Sequence, residues 1–504
     1  MNSASSPTSK REPLLQRQAR QVSRLHRWLG TGFCLLFALW FGTGFVMMYV
    51  PFPALPDGAR IAASAPVRLD AVMLPPSAAA HGFPVQRLRL VDVLGRPRYL
   101  ATLDGGGMLS IAADTGGFTA PLDMAAARRV AERFAGRTAA AVEGPFDHDQ
   151  WVVHQRFDAV RPFYRVELGD AAGTELYVSA PLGQVSQRTT RFERGWNWVG
   201  AVVHWIYPTF LRKSLWAWDQ LVWWLALAGI VVAASGWGLG VVRMVNLRRA
   251  GRGGLSPFRG WVRWHHLIGL VGGAFALTWV FSGWLSMDHG RLFSLDQPAV
   301  ARLARLRGTD MATAMTGVMP ATLQALGSAR EIEFAVVGGQ AFIIQRNAAD
   351  TPYRLTPVLA GVPRTPLAAI PDALLADAVA AAWAPARVRD IAGIAVDDEY
   401  GHMRSEPLPD SARRVRLDDA AQTWVHMDAR SGQLIGQMDS SRRAYRWLYN
   451  GLHTFDFPLL NRAGPLWRVL MLAALAAGMG LSVSALVLGG RRMARASARG
   501  RRRT

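Results

Sequence analysis

Four uninterrupted apolar runs constrain this chain more than any other feature. Residues 28–50, 221–242, 264–287 and 466–489 make runs of 23, 22, 24 and 24 residues. At about 1.5 Å of rise per residue, each is long enough to cross the ~30 Å hydrocarbon layer of a membrane as a helix. Arg468 is the only formal charge among them, and it sits close enough to one end to reach the interface. Two long blocks, 51–220 and 288–465, alternate with three short segments, 1–27, 243–263 and 490–504. A mean hydropathy of +0.11 fits a few spans joined to water-soluble blocks.

The net charge of +21 invites a nucleic-acid reading, but its distribution argues for topology instead. The three short segments carry +18 of it: Lys10, Arg11, Arg17, Arg20, Arg24 and Arg27 against Glu12, then six arginines in 243–263, then seven in 490–504. Basic residues concentrate on the cytoplasmic side of membrane proteins. Both termini are therefore expected in the cytoplasm, with both long blocks in the periplasm of a bacterium and the chain in its inner membrane. The lone Cys34 excludes disulfides, four-cysteine metal sites and covalently attached haem. Any redox chemistry must use histidine-held cofactors or a partner.

The chain repeats itself. A shift of 239 lays Arg24, His26, Gly30, Trp40, Gly44 and Met48 over Arg263, His265, Gly269, Trp279, Gly283 and Met287, with Thr43 facing Ser282. A shift of 249 lays Arg194, Trp198 and His204 over Arg443, Trp447 and His453. Two halves thus share one plan of helix, outer domain, short histidine-bearing helix and helix. Because both start inside, a pseudo-two-fold along the membrane normal is expected. Each outer block reads as α+β: a helix over 124–134 precedes strands at 163–168 and 175–178, and a helix over 372–383 precedes strands at 413–417 and 423–427. Further strands are expected at 87–94, 99–103, 332–337 and 341–345.

This pattern resembles the PepSY-associated transmembrane family, which includes inner-membrane ferrisiderophore reductases. The residues that carry the resemblance are Arg24-x-His26-x3-Gly30 with Thr43-Gly44, Arg263-x-His265-x3-Gly269 with Ser282-Gly283, the run Trp424 to Asp428 followed by Ser431-Gly432, and Arg443-x3-Trp447-x5-His453. The first block lacks the counterpart of Asp428. The resemblance implies a membrane α+β fold of four transmembrane helices in two pseudo-symmetric halves, each with a periplasmic PepSY-like domain. In the reductase branch it also implies b-type haem.

Eleven histidines occur, and His81, His148, His154, His402 and His426 lie in the outer blocks, where solvation or domain packing is the default role. Four at symmetry-matched positions ask for more. Ligation of one haem iron by two histidines requires imidazoles at the same membrane depth. His26 therefore pairs with His265 rather than with His204 a bilayer away, and His204 pairs with His453. His266 is the reserve inner ligand, since helix neighbours point about 100° apart, and His289 is a weaker outer candidate. Arg194 and Arg443, on the side where topology does not favour cations, are candidate partners for haem propionates. Trp40, Trp279 and Cys34 read as packing residues.

The expected cofactor is haem b, two per chain. No cytoplasmic segment is large enough for a flavin or nicotinamide domain, so the electron donor is quinol or a cytoplasmic reductase. The expected substrate is a ferric siderophore or another ferric chelate in the periplasm. The alternative is a non-enzymatic PepSY membrane protein that binds a peptide, a protease or a metal carrier. A transporter is disfavoured because the spans lack buried carboxylates.

Overall fold

The structure, a computed structural model, describes residues 14–288, 291–293, 298–347, 353–404 and 407–501. His289, Lys10 and Arg11 lie outside them. Four helices, Leu14–Met47, Leu215–Arg249, Gly260–Leu285 and Gly464–Arg501, are long and apolar enough to cross a membrane, and together with three antiparallel sheets they make this a membrane α+β protein. Three of them outrun their apolar stretches. The first begins well before Trp28, and the second and fourth continue into arginine-rich sequence. Arg, Leu, Gln and Ala all favour helix, and Arg248 and Arg249 also meet the negative end of the second helix dipole.

The spans form a ring. The first touches the second and fourth, and the third touches the same two, so the first and third face each other across the bundle. Phe37, Phe41, Val232, Ala276, Val280, Met471 and Leu475 fill the centre. Cys34 is buried in this packing and donates to Thr31 O.

Outside the bundle the first block supplies β1 (Val85–Val93), β2 (Arg96–Leu103) and β3 (Met108–Ala112). After the helix Met124–Ala135 it supplies β4 (Ala141–Phe146), β5 (Phe163–Glu167), β6 (Glu175–Ser179) and β7 (Gln184–Thr189). The second block follows the same order, with β8 (Glu331–Val337), β9 (Gln340–Arg346), β10 (Arg354–Leu359) and the short β11 (Val362–Pro363). The helix Asp372–Trp383 then precedes β12 (Val388–Gly393), β13 (Ala412–Leu417), β14 (Trp424–Asp428) and β15 (Leu434–Met438). Strands β4 to β7 and β12 to β15 form two four-stranded antiparallel sheets, each backed by its helix.

The two blocks, read from the sequence as one domain each, share a sheet. Strand β1 pairs antiparallel with β8, Leu88 opposite Phe334 and Leu90 opposite Ile332, giving one seven-stranded sheet in the order β11-β10-β9-β8-β1-β2-β3. Period-two alternation sends Leu88, Leu90, Ile332 and Phe334 to one face, where Met311, Met315, Val318 and Leu323 cover them. The opposite face carries Arg87 and Arg89 on β1 against Glu331 and Glu333 on β8. Arg87 binds Glu333 at 2.8 Å, Arg89 binds Glu331 at 3.0 Å, and Arg60 and Arg346 add bonds of 2.9 Å to Glu331 and 2.8 Å to Glu333. Both carboxylates are 1% exposed, so the seam is a buried ionic joint between the halves of the chain.

Candidate cofactor site: two facing pairs of histidines

Each block returns to the bundle through a short helix, Arg191–Asn197 or Ser440–Arg446, that widens into one π-helical turn, Trp198–Val202 or Trp447–Gly451. Such turns rotate the downstream side chains relative to an α-helix and recur at functional sites. His204 and His453 come two residues after them. Two residues further on, Ile206 and Phe455 both adopt left-handed backbone, at φ of 51°. A β-branched residue there is strained, so the bundle packing must hold this turn.

These devices bring the rings of His204 and His453 together with centroids 6.4 Å apart and planes at 79°. At the other end of the bundle His26 and His265 also lie 6.4 Å apart, with planes tilted by 36°. Two Fe–N bonds of about 2 Å, plus roughly 1.2 Å from each nitrogen to its ring centre, place the centroids of an iron-sharing imidazole pair ~6.4 Å apart. Both pairs meet that requirement. Among the described residues no three His, Cys, Asp or Glu side chains cluster. A zinc-type closed site, which takes four protein ligands, is therefore not built at either pair. Two facing imidazoles could hold a metal only if its remaining ligands come from outside these side chains.

Hydrogen bonding assigns the proton on each ring. His204 Nδ1 lies 2.9 Å from Thr43 Oγ1, whose own hydrogen goes back along its helix to Leu39 O at 2.7 Å. His453 Nδ1 lies 3.0 Å from Ser282 Oγ, which donates to Trp279 O at 3.1 Å. His265 Nδ1 lies 2.9 Å from Ser484 Oγ, which donates to Leu481 O at 2.6 Å. With its hydrogen so committed, each hydroxyl can only accept, so the histidine donates from Nδ1. His26 Nδ1 donates to Val232 O at 3.1 Å, with Ser235 Oγ at 3.4 Å. All four rings thus keep the lone pair on Nε2, which has no hydrogen-bond partner among the described residues.

Small residues make room for this. The His26 ring lies against Gly236, where a Cβ would come 2.4 Å from Cε1. The sequence repeat did not flag Gly236. Of the glycines it did flag, Gly44 gives way to Leu475, with a Cβ contact of 2.9 Å, and Gly283 faces His453 at 3.6 Å. Trp40 donates to His204 O at 3.1 Å, and Trp279 stacks on Phe455.

His266 is not at the pair. Its Nε2 donates to Gly240 O at 3.0 Å and its ring meets Phe258 edge-on. The structure thus separates the two adjacent histidines and brings His265 to His26. Arg194 and Arg443, expected as partners of propionates, direct their guanidinium groups to the sheets. Arg194 binds Thr189 Oγ1, Gly173 O and Glu175, and Arg443 binds Gln422 O and Met438 O while stacking on Trp424. These contacts pin the short helices to the four-stranded sheets, a role that their repeated spacing also fits.

Sequence reading noted Thr43 and Ser282 only as part of the repeat, and missed Ser235 and Ser484 altogether. The signal was present, since Ser235 and Ser484 are related by the same shift of 249 that relates His204 and His453. The chain matches no protein-family model and no curated protein.

Proposed function

We propose that this protein is an inner-membrane, haem-containing reductase of the PepSY-associated type, which passes electrons to ferric iron in the periplasm, where a siderophore or similar chelate holds it. The observation that carries the reading is the two imidazole pairs, each at a separation suited to one iron and each with Nε2 free. His26 and His265 would hold one b-type haem near the arginine-rich, cytoplasmic end, and His204 and His453 a second near the outer blocks. Haem iron so held supplies reversible one-electron transfer at a potential set by its ligands.

The chain's own work is positioning. Thr43, Ser282, Ser484 and the Val232 carbonyl orient the imidazoles, and Gly236 admits one of them. Phe37, Phe41, Trp279 and Leu475 pack together in the apolar centre of the bundle. The +18 of charge on the three short segments supports cytoplasmic termini and periplasmic blocks, and the matching shifts of 239 and 249 support the pseudo-two-fold plan. The substrate gains one electron. Fe(II) binds hard oxygen donors less tightly than Fe(III), so the metal leaves an intact chelator. Quinol or a cytoplasmic reductase would supply the electron.

The test is a visible spectrum of the detergent-purified protein after haem-replete expression. Reducible Soret and α bands at two haems per chain are expected, falling to one in His204→Ala and in His26→Ala. A colourless protein would refute the reading and leave a PepSY-type anchor that binds a peptide, protease or metal carrier.

A further inference from the structure

The four histidine cradles are one device used four times. In each, a Ser or Thr on a neighbouring span returns its hydrogen to a backbone carbonyl of the preceding turn: Thr43 to Leu39, with Trp40 O the longer second acceptor, Ser235 to Val232, Ser282 to Trp279 and Ser484 to Leu481. The hydroxyls repeat with the same two shifts as the histidines, since Thr43 and Ser282 differ by 239 and Ser235 and Ser484 by 249. No packing argument demands a hydroxyl at all four places, because Ala or Val would fill the same volume without a buried polar atom to satisfy.

We infer that Thr43, Ser282 and Ser484 are positioning residues that set both the orientation and the electron-donating strength of the imidazoles they touch, whereas Ser235 is a near-silent member of the set. The inference rests on the proposed haem ligation. An imidazole whose Nδ1–H is held by an acceptor is a stronger donor through Nε2, and that favours the oxidised state of a metal bound there. A hydroxyl whose own hydrogen is already committed is a fixed acceptor and cannot turn round. At His26 the carbonyl of Val232, at 3.1 Å, takes the Nδ1 hydrogen, and Ser235 Oγ stands further off at 3.4 Å. Loss of the Ser235 hydroxyl therefore leaves the main acceptor in place.

The arrangement makes a differential prediction. Thr43→Val and Ser282→Ala are expected to shift the midpoint potential of the outer centre to more positive values and leave the inner one unmoved. Ser484→Ala is expected to do the reverse, and Ser235→Ala to move neither appreciably. Thr43→Ser, which keeps the acceptor, is expected to behave as wild type.

The experiment is a redox titration of the full-length protein in detergent, with haem per chain measured alongside and the two potentials assigned through His26→Ala and His204→Ala. Low-spin EPR spectra report the same ligand change without any turnover. Loss of the outer haem in Thr43→Val but not in Thr43→Ser would support the inference as well. Unmoved potentials in Thr43→Val, Ser282→Ala and Ser484→Ala at full haem content would overturn it, as would a Ser235→Ala shift as large as that of Ser484→Ala. In both cases the haem reading would stand. Wild-type protein without haem would instead defeat that reading first.

Discussion

Replacing Glu331 with Gln tests whether the two halves are joined by buried charge. Burial alone would raise the Glu331 carboxyl, but the guanidinium groups of Arg89 and Arg60 outweigh it and hold it at about 2, against 4.5 for the free side chain. That difference corresponds to about 3 kcal/mol of folding free energy at neutral pH. An independent scale agrees, since removing one partner of a buried ion pair typically costs about 3–5 kcal/mol. Because the folded group is the stronger acid, this stability is present in full above pH ~4.5 and is lost as the pH falls towards ~2. The assay is amide hydrogen exchange of β1 and β8 in detergent, corrected for intrinsic rates. Glu331→Gln is expected to speed exchange along Leu88–Val91 and Ile332–Phe334 by at least about 100-fold, the equivalent of ~3 kcal/mol. It should also reduce the acid-induced loss of protection expected of the wild type, since only Glu333 then remains to titrate in the seam. Exchange within about 3-fold of wild type at pH 7 would mean that the ionic joint contributes little, and that backbone pairing and the apolar face hold the seam.

Three further outcomes are expected from the geometry. Gly236→Val places a branched side chain where the His26 ring lies; under the proposed ligation the inner pair should then lose its haem while the outer pair keeps one, and two haems per chain in this variant would show that the ring can be held elsewhere. His426 is buried, and burial together with the neighbouring Arg414 pushes its imidazole down to about 3. Its neutral form should contribute a few kcal/mol above pH ~6.5, lost progressively as the pH drops towards ~3; His426→Gln should flatten that part of the stability profile of the second block, and an unchanged profile would contradict it. Arg194→Met breaks the bonds to Glu175, Thr189 and Gly173. If Arg194 is a pinning residue, the change should loosen the short helix and, under the proposed ligation, broaden the EPR lines of the outer haem without changing haem content. Loss of the haem with the helix still ordered by hydrogen exchange would restore Arg194 as a cofactor contact.

Much of this architecture was legible because the signals are local. Apolar runs beyond 20 residues have few fates other than crossing a membrane. Strand alternation around Arg87–Leu94, Phe163–Leu168 and Arg413–Leu417 placed elements close to where they are observed. The exact repeat of Arg194, Trp198 and His204 at Arg443, Trp447 and His453 helped single out four of eleven histidines without an alignment. At Arg194 and Arg443 the repeat does not discriminate, since a residue holding a helix to a sheet has the same spacing signature as one holding a ligand.

Sequence by itself determined what depends on neighbours along the chain: four runs long enough to span a membrane, the arginine-rich segments between and beyond them, the repeated residue spacings and the element types of each block. Tertiary structure alone decided what depends on residues far apart in sequence. Fusion of β1 with β8 into one sheet pairs residues some 240 positions apart, and only their opposite side-chain charges hint at it. The selection of His265 over His266 came from the helix rotation set by the packing of four spans. The free Nε2 on each ring came from hydroxyls and a carbonyl on other helices, a constraint that no local pattern around the histidines encodes.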